Sequence, residues 1–550
     1  MLRFLSHQWV LLLFIVFLSI PALFPLTRQG FFPTQDYIYV ARVYELNSAL
    51  SDGQFPVRWS PDFRYGDPTF NFYAPLPYYI GAVVKNTGLS YLETVKVLFG
   101  LGFLLSGLAM YFLAKEYFGK LGGLVSAMLY IYAPYHSVDV YVRGALSESW
   151  ALIFFPLIFL FSKKLADKPG ILNIIWLALS LTGLFFTHNI MTLLFMPFAI
   201  AWWMYLLWQG KNWKNITYFI IALGLGIGLA ASFLLPAFFE KSFVQSDRLI
   251  KGYFDFRGHF VAIPQFFSIF WGYGASLWGS HDDMSFQVGL VHWAVIILAL
   301  FGVFKFKRSK TTSMLAIFLT AEFLFSLFMQ HNKSAPIWER FSQLLAYTQF
   351  PWRFLGVSIF FASFLGGLIV FVLPARYRKV IFLSLIIVII AGNIAFFRPD
   401  SYYFDSIDDH YISKKTLSID DRIPKDYLPI WVKKIEDSKF ETPVVREGKV
   451  EIRDFNKRSS TATFNASIKD DAVIETPITY FPGWEVRANG KLVKLEDPGE
   501  LGLVKFRLPK GDYKIDMQFS DTPIRANSNK ISLASLGILG FLLAGSKLKK

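Results

Sequence analysis

The sequence predicts an α-helical membrane protein that crosses the bilayer about twelve times and carries a C-terminal β-sandwich domain outside the membrane, before the last helix. Three observations lead to this fold class. Uncharged apolar runs of about 16 to 22 residues recur along the chain, close to the length that spans a bilayer as a helix. Basic residues are concentrated in alternate short loops. One late segment alternates apolar and polar residues with a period of two, as a half-buried strand does.

The apolar runs define the membrane-spanning part. The chain is 54% hydrophobic and only 17% charged, whereas about a quarter of the residues in soluble domains are charged. The first run follows Arg3 but lacks a convincing cleavage site, so we interpret it as an uncleaved anchor. We place the spans near residues 8–26, 93–114, 121–136, 147–162, 171–187, 190–208, 216–236, 288–304, 312–329, 353–373, 380–397 and 531–546.

Lysine and arginine in the short loops indicate the orientation of the chain. One set of loops and termini holds 18 of these basic residues against two acids, Glu116 and Asp167, and we assign that side to the cytoplasm. Both termini are then cytoplasmic. The formal net charge of +15 is therefore a topology signal. Since no single basic loop is long enough to form a patch, we expect no nucleic-acid partner.

The opposite, extracytoplasmic face carries the longer segments. They are loops 27–92, 237–287 and 330–352 of a transmembrane core that comprises residues 1–397, and the segment 398–530. Long loops are uncommon in compact domains unless they are functional. We therefore expect the chemistry of this protein at the extracytoplasmic face.

Residues 398–530 form a domain of a different character. Between about 440 and 522, apolar and polar residues alternate, and Asn489-Gly490 and Lys510-Gly511 supply turns. This pattern predicts the β-sandwich, with about seven strands. Residues 531–550 follow as the final span and a basic cytoplasmic tail.

An acidic residue, Asp36, stands about ten residues after the first span, at the start of a helical stripe of apolar residues. Thr34 is placed to cap that helix, whose dipole favours the ionised carboxylate. By itself, such an acid most simply stabilises a helical turn. The aromatic loop that follows, which contains Arg58, favours a functional role, because an aromatic belt at the membrane interface does not need paired arginines and acids.

Further ionisable residues stand at the outer ends of the predicted spans. Ionisable groups at membrane depth are costly and suggest function, and the fork of an arginine fits phosphate oxygens. The simpler alternatives are an Arg143–Glu148 ion pair at a helix end, a polar turn at His188 and an interface anchor at Arg353. The full set is His136, Asp139, Arg143, Glu148, His188, Asn189, Glu240, His259 and Arg353.

Thiol and nucleotide chemistry find no support in the sequence. The chain has no cysteine, and no phosphate-binding glycine loop or nucleophile elbow occurs in a suitable context. His281, Asp282 and Asp283 offer adjacent donors to a divalent metal ion, but their spacing matches no strong ligand pattern. A metal cofactor therefore stays an open alternative.

Several stretches of the sequence resemble known families. An acid after the first span, a long aromatic loop and about a dozen spans resemble the GT-C class of integral-membrane glycosyltransferases. More closely, "GQFPVRWSPDFRYGDPTFNFYAPLPYY", "VRGALSESW", "THN", "QFPWRFL" and "YFPGWEVRANGKLV" are similar to the YfhO-like, PTPS-related group of bacterial membrane proteins. This resemblance covers nearly the whole chain and implies a location in a bacterial or archaeal plasma (inner) membrane.

The resemblance implies a hexosyl- or pentosyltransferase that moves a sugar from a polyprenyl-phosphate-linked donor to an extracytoplasmic glycan, lipid or polymer. It carries the role of catalytic base in an inverting displacement onto Asp36. Tyr39 stands near the position where we expect a histidine in this class, so the resemblance carries no metal or phosphate role onto that position. We expect Arg143, Arg353, His188 and Arg58 to bind the donor phosphate, and Tyr39, His136, Asp139, Glu148, Asn189, Glu240 and His259 to support the site.

These assignments predict that Asp36, Arg143, Glu148 and His188 line one cavity at the outer membrane face. Two alternatives from other functional classes stay open. A flippase or exporter of lipid-linked glycans requires ionisable residues deep within several spans, where this chain offers mainly Glu322. A non-catalytic envelope scaffold leaves the charges at the outer rim without a role.

Overall fold

The computed structural model describes residues 8–548, apart from residues 280, 307, 405–407, 414–415, 418–424, 426 and 436–438. Four of the basic residues behind the predicted orientation lie outside this part: Arg3, Lys307, Lys549 and Lys550. The described chain contains a mostly helical core, an antiparallel sheet and one last helix. The predicted architecture, a helical membrane core with a β-rich domain before the final helix, is therefore confirmed.

The helices are α1 (Gln8–Thr27), α2 (Ile38–Ser51), α3 (Thr69–Phe72), α4 (Leu76–Lys85), α5 (Tyr91–Ile131), α6 (Pro134–Ser137), α7 (Leu146–Asp167), α8 (Ile171–Thr187), α9 (Asn189–Gly210), α10 (Ile216–Leu229), α11 (Ala231–Phe239), α12 (Leu290–Lys305), α13 (Lys310–Phe328), α14 (Ala335–Arg340), α15 (Ser342–Leu345), α16 (Leu355–Gly366), α17 (Leu368–Val372), α18 (Ala375–Asn393), α19 (Asp408–Ile412) and α20 (Pro523–Leu548). A π-helical turn, Val138–Val142, follows α6, and a 3-10 turn, Pro351–Phe354, leads into α16.

Among the described residues, eight helical segments are long and apolar enough to cross a membrane, and α10 with α11 adds a ninth if this pair, bent by 75°, is one span. The shorter apolar helices α8 and α12 also coincide with predicted spans. Helix α5 has non-helical backbone at Gly119, between two predicted spans. Each predicted span thus coincides with a helix or a helix pair, and the number of crossings stays a prediction.

The first outer loop, residues 28–90, is mostly folded onto the core. Helix α2 buries Val40, Val43 and Leu46 in the same apolar cluster as residues of α5, because residues three apart share one face of a helix. The predicted cap is wrong. The helix begins at Ile38 after Tyr37, and the Thr34 hydroxyl instead donates a hydrogen bond to the backbone carbonyl of Asp36.

The sheet consists of β1 (Val444–Lys457), β2 (Thr461–Thr479), β3 (Trp484–Ala488), β4 (Lys491–Val493), β5 (Leu503–Leu508) and β6 (Gly511–Phe519). The described strands number six instead of about seven. Their order is β1-β2-β6-β3-β4, and β5 pairs with the second half of β2. One long strand therefore serves both halves of the domain. The predicted turn at Asn489-Gly490 joins β3 to β4, with positive φ at both residues, as a type I′ turn requires.

The sheet and the outer loops share one apolar core. Trp59 of the first outer loop lies 5.6 Å from Trp484 of β3 between ring centroids and 5.0 Å from Phe519 of β6. Phe72 and Val244, from two different outer loops, belong to the same cluster. The β-rich domain is therefore packed against the side of the helical core that is predicted to face outward.

Candidate active site

A cavity of about 730 Å³ opens where the first outer loop meets the starts of α7 and α9. We call it the outer cavity. Its walls include Asp36, Arg143, Glu148 and His188, so the prediction that these four residues line one cavity is confirmed. The other lining residues are Gln35, Tyr37, Ile38, Arg42, Phe72, Tyr73, Ala145, Asn189, Ile190, Ala237, Lys241, Val244, Ser246, Leu249, Tyr253, Phe254, Ala275, Tyr347, Gln349, Phe350, Trp352, Arg353 and Tyr427.

Backbone contacts with the turn before α7 hold Asp36 in place. Its amide donates to the carbonyl of Arg143 at 2.7 Å, and the amide of Gln35 donates to the carbonyl of Val142 at 3.0 Å. Gly144 makes this approach possible: its φ is +69°, and a Cβ there would lie 2.3 Å from the Asp36 carbonyl oxygen. The sequence "VRGALSESW" thus supplies both a glycine that admits Asp36 and charged residues around it.

The Asp36 carboxylate itself has few partners. Its Oδ1 accepts one long hydrogen bond, 3.3 Å from the Ile38 amide, and no Lys, Arg or His nitrogen in the described chain lies within 4 Å of it. Burial raises the pKa of this carboxyl above its usual value, and the positive charge of Arg42 is the largest opposing influence. A carboxylate of raised pKa that is not ion-paired is chemically suited to accept a proton.

Arg143 lies between two buried carboxylates. It donates from Nη2 to Glu148 Oε2 at 2.9 Å and from Nη1 to Asp139 Oδ1. The Tyr135 hydroxyl donates to the other oxygen of Glu148 at 2.6 Å. The simpler interpretation of Arg143 and Glu148 as an ion pair at a helix end is therefore correct in its geometry, and the pair also faces the cavity.

Arg353 joins the same group of charges from the 3-10 turn before α16. Its Nε lies 3.4 Å from Glu148 Oε2. Its Nη1 donates to the backbone carbonyl of Thr348 at 2.8 Å and to Gln349 Oε1 at 2.9 Å. We refer to Asp139, Arg143, Glu148 and Arg353 as the charge cluster.

His188 caps α9 and lines the cavity. Its Nδ1 accepts a hydrogen bond from the Met191 amide at 3.1 Å, so a neutral imidazole here carries its proton on Nε2. Asn189 also lines the cavity, and its side-chain amide donates to the Phe72 carbonyl at 2.9 Å. The polar turn predicted at "THN" is therefore both a helix cap and part of the cavity wall.

Arg58, predicted to bind the donor phosphate, does not line the cavity. Its guanidinium donates to Asn71, to the Ser232 carbonyl and to Asn529 of α20. This places Arg58 in a buried joint between the first outer loop and the last helix. This joint is not visible in the sequence, because Asn529 lies hundreds of residues downstream of Arg58, and a phosphate role for Arg58 stays a prediction.

Glu240, predicted as a supporting residue of the site, belongs to the same joint. Its Oε2 accepts from Arg525 Nε at 2.9 Å and from the Asn71 side chain at 2.8 Å. Its Oε1 accepts from the Thr522 hydroxyl at 2.5 Å. Glu240 therefore fixes the start of α20 and lies outside the cavity wall.

Four further predicted residues stand behind the cavity wall. The Tyr39 hydroxyl lies 2.8 Å from Thr34 Oγ1, next to Gly144. His136 Nδ1 lies 3.1 Å from the Tyr130 carbonyl. Asp139 holds Arg143, and His259 contacts the carbonyl of Tyr253, a residue that lines the cavity. None of the four lines the cavity, and their supporting role stays a prediction.

The metal candidates do not form a site within the described residues, where no group of three or more His, Asp or Glu side chains is arranged to hold a metal ion. Asp282 is engaged in its own loop. Its Oδ2 accepts from Gln265 at 2.8 Å, and its Oδ1 accepts from Ser276 at 3.0 Å and from the Leu277 amide at 2.8 Å. His281 and Asp283 do not line the outer cavity.

Sequence reasoning missed two cationic residues of the cavity wall. The guanidinium carbon of Arg42 lies 3.8 Å from the centre of the Tyr73 ring, and Lys241 Nζ lies 3.4 Å from that of Tyr347. In the sequence, Arg42 looks like a solvated position on an amphipathic helix and Lys241 like a charge after a helix end. The only available signal for Arg42 was its distance of six residues from Asp36.

Two known protein families match two successive segments of the chain. The family described as "6-pyruvoyl-tetrahydropterin synthase related domain; membrane protein" matches residues 70–399, more than half of the 550-residue chain. The protein belongs to this PTPS-related membrane family. The family "Bacterial membrane protein YfhO" matches residues 434–525, which contain the sheet. The resemblance found in the sequence motifs is therefore confirmed.

Relatives of this PTPS-related protein include an uncharacterized protein of Lactococcus lactis subsp. cremoris (strain MG1363), which is 29% identical over 248 residues. That match covers 42% of this chain and 40% of the relative. The uncharacterized protein YfhO of Bacillus subtilis (strain 168) is 33% identical over 104 residues, which cover 19% of this chain and 12% of the relative. The matches thus span less than half of each relative.

Solved structures of related shape have TM-scores between 0.40 and 0.44, at 13% identity. The arabinofuranosyltransferase AftD from Mycobacteria scores 0.44, and the match covers 74% of this chain and 28% of AftD. ArnT from Cupriavidus metallidurans, bound to undecaprenyl phosphate, scores 0.41, with 70% and 63% covered. The apo oligosaccharyltransferase of Archaeoglobus fulgidus scores 0.40, with 79% and 62% covered.

Proposed function

We propose that this protein is a membrane glycosyltransferase that moves a sugar from a polyprenyl-phosphate-linked donor to an extracytoplasmic acceptor. One observation carries the proposal: a single cavity beside the helix ends combines a carboxylate that is not ion-paired, Asp36, with several cationic side chains. A base and a cationic wall are the two features that displacement of a sugar from a phosphate requires. The resemblance of the sequence motifs to the GT-C class points to the same reaction.

Asp36 acts as the general base in this mechanism. The acceptor hydroxyl oxygen forms a bond to the anomeric carbon while the bond from that carbon to the donor phosphate oxygen breaks. The hydroxyl proton passes to Asp36, and the electron pair of the broken bond leaves with polyprenyl phosphate. The single displacement inverts the anomeric carbon. The raised pKa of Asp36, caused by burial, makes it a stronger base than an exposed aspartate.

The cationic wall stabilises the negative charge that grows on the leaving phosphate. Cations that are already in place do not have to reorganise during the reaction, which lowers the barrier. The charge cluster orients Arg143 and Arg353 along the cavity, since each arginine is held by a carboxylate and by further hydrogen bonds. His188 contributes a neutral Nε2–H donor to the phosphate or the sugar.

The wider setting follows from the predicted topology and the family resemblance. The reacting groups lie on the extracytoplasmic face of the plasma membrane, with both termini in the cytoplasm. The acceptor is a cell-envelope glycan, lipid or polymer, and the donor supplies a hexose or a pentose. A water-insoluble donor suits a cavity that lies at the ends of membrane helices.

Transfer by purified protein in nanodiscs tests the proposal. Undecaprenyl-phosphate-linked hexoses and pentoses would be supplied with fractionated cell-envelope glycans, and labelled product would be followed together with its anomeric configuration. Wild-type protein should transfer one of these sugars with inversion. Asp36→Asn should lower the turnover by about 10²- to 10⁴-fold, the usual contribution of general acid–base catalysis.

Asp247→Asn is the matched control, because Asp247 is an exposed acid of the second outer loop, residues 237–287. Its ion-pair partner, Lys251, is also exposed. Its activity should equal that of the wild type. Transfer by Asp36→Asn at the wild-type rate would exclude Asp36 as the base. Product with retained configuration would exclude the single displacement.

A further inference from the structure

The cationic side chains of the outer cavity fall into two groups. Arg143 and Arg353 lie beside carboxylates in the charge cluster, at 2.9 Å and 3.4 Å from Glu148. Arg42 and Lys241 have no carboxylate oxygen within 4 Å among the described residues, and each lies against an aromatic ring instead. The first pair is thus largely neutralised by the protein, whereas the second pair carries charge that an incoming anion can neutralise.

Arg42 is the more deeply buried member of the uncompensated pair. Only 4% of it is exposed, and its Nε has no hydrogen-bond partner in the described chain. Burying an arginine without a counter-ion is unfavourable, and the contact with the face of Tyr73 offsets only part of this cost. The Arg42 guanidinium is buried, has no hydrogen-bond partner for its Nε and lines the cavity, so binding of an anion there would compensate its charge.

The position of Arg42 relates it to Asp36. Asp36 lies two residues before the start of α2, where its Oδ1 accepts from the Ile38 amide, and Arg42 lies in the second turn of that helix, so the same helix end positions both residues. A phosphate bound by Arg42 therefore has a fixed relation to the carboxylate that takes the acceptor proton. The guanidinium fork matches phosphate oxygens, whereas Arg143 already uses both terminal nitrogens on Asp139, Glu148 and Tyr135.

We infer that Arg42 is the phosphate anchor of the outer cavity and that Arg143 and Arg353 position the wall around it. The inference rests on the proposed function, because it names the residue that holds the phosphate of the lipid-linked donor. Lys241, at the rim formed with Tyr347, is the second uncompensated charge that faces the same anion. The ligand class is a phosphate monoester or diester, either on a lipid or free.

Binding of undecaprenyl phosphate to purified protein in detergent tests the anchor without requiring turnover. Arg42→Gln should weaken this binding about tenfold or more, the usual effect of losing a hydrogen bond to a charged group. Arg42→Lys keeps the positive charge but lacks the guanidinium fork, so its affinity should lie between those of the wild type and Arg42→Gln. Arg248→Gln is the control, since Arg248 is an exposed arginine of the second outer loop and does not line the cavity.

Two probes identify the source of the phosphate. Undecaprenol, which lacks the phosphate, should bind wild-type protein and Arg42→Gln equally. Inorganic phosphate that displaces undecaprenyl phosphate from the wild type would support an anchor for phosphate itself, and its failure to compete would support an anchor for lipid-borne phosphate. Arg42→Gln that binds undecaprenyl phosphate as tightly as the wild type would overturn the inference.

The thermal stability of the ligand-free protein separates an anchor from a structural residue. Removal of an unpaired buried charge should leave the melting temperature of Arg42→Gln unchanged or raise it, whereas loss of a structural contact would lower it. Undiminished binding by Arg42→Gln with intact transfer would overturn the anchor and leave the proposed function standing. Arg42-dependent binding in a protein that transfers no sugar would keep the anchor and contradict the proposed function.

Discussion

At the scale of single residues, the cavity depends on which charges are compensated and which are not. Glu148 is surrounded by two arginines and a tyrosine hydroxyl, so its charge is fixed in place. Asp36 has one weak backbone hydrogen bond and a nearby arginine that is not in contact. Of these two carboxylates, Asp36 has fewer partners, which is the reason for proposing it as the proton acceptor.

The pH dependence of the reaction should report this arrangement. In the proposed mechanism Asp36 accepts a proton only when it is ionised, so activity should fall as the pH drops through its pKa, which burial raises. The positive charge of Arg42 opposes that rise. Arg42→Gln should therefore shift the acidic limb of the kcat/KM profile to higher pH. Profiles of wild type, Arg42→Gln and Arg248→Gln between about pH 4 and 9 measure the shift.

Arg248→Gln should leave the acidic limb where the wild type has it, since its charge is exposed and screened by solvent. A limb that stays in place or moves to lower pH in Arg42→Gln would mean that Arg42 does not set the ionisation of Asp36. That result would also weaken the assignment of Asp36 as the group seen in the profile.

The sequence predicted much of this site because ionisable residues at the outer ends of apolar spans are conspicuous. Asp36, Arg143, Glu148, His188 and Arg353 were identified in this way, and all line the cavity. Compensation of charge is a property of three-dimensional neighbours, so the sequence did not distinguish the paired Arg143 from the unpaired Arg42. For the same reason Arg58 was assigned to the donor phosphate, although its partners include Asn529 in the last helix.

At the scale of elements, a buried joint connects the first outer loop, α11 and α20. Glu240, 2% exposed, follows α11 and pairs with the fully buried Arg525 of α20. The side-chain amide of Asn71 and the hydroxyl of Thr522 also donate hydrogen bonds to the Glu240 carboxylate. The last helix is thereby held beside the first outer loop, which carries Asp36 at its start.

Glu240→Ala should destabilise the protein by about 3–5 kcal/mol, the usual result of leaving one member of a buried ion pair without its partner. The double variant Glu240→Met/Arg525→Met removes both charges and should recover part of this loss. Thermal unfolding of the detergent-solubilised protein measures both effects. The matched control is Glu339→Ala, which breaks the exposed pair with Arg257 and should cost at most about 1 kcal/mol.

A Glu240→Ala variant as stable as Glu339→Ala would show that the joint contributes little to the fold. Equal losses for the single and double variants would show that the Asn71 and Thr522 contacts, rather than the ion pair, stabilise the joint. In neither case should the Asp36 carboxylate change its role, because Glu240 does not line the outer cavity.

Helices were predictable from apolar runs alone, because membrane spans need length and the absence of charge. The bend of 75° between α10 and α11 was not predicted, since no proline lies at the break near Ala230 and the run contains no charged residue. The strands were predictable from their period of two. The pairing of the strands was not predictable, because local alternation does not specify partners. The long strand β2 pairs with β6 along its first half and with β5 along its second half.

At the scale of the whole molecule, the β-rich domain and the membrane core share buried apolar side chains at their contact. Trp59, fully buried, belongs to the first outer loop but packs among Phe481, Trp484 and Phe519 of the sheet domain. Trp484 is itself a buried member of this core. Deletion of residues 440–522 would therefore expose Trp59 as well as remove the domain, so loss of transfer in that variant would not isolate a role in acceptor binding.

Trp59→Ala is a more selective probe of this coupling. Truncation of a fully buried tryptophan costs about 3–5 kcal/mol, and here the lost contacts reach across the boundary between loop and sheet. We expect a lower melting temperature together with faster proteolysis within the strands between residues 444 and 519. Trp278→Ala, at a tryptophan that is 64% exposed, should change neither property.

Faster proteolysis of the strands would mean that the first outer loop stabilises the sheet domain. Strands that stay as protease-resistant in Trp59→Ala as in the control would mean that the domain folds independently of the loop that carries Asp36. Movements of the domain would then have no direct route through this shared core to the outer cavity.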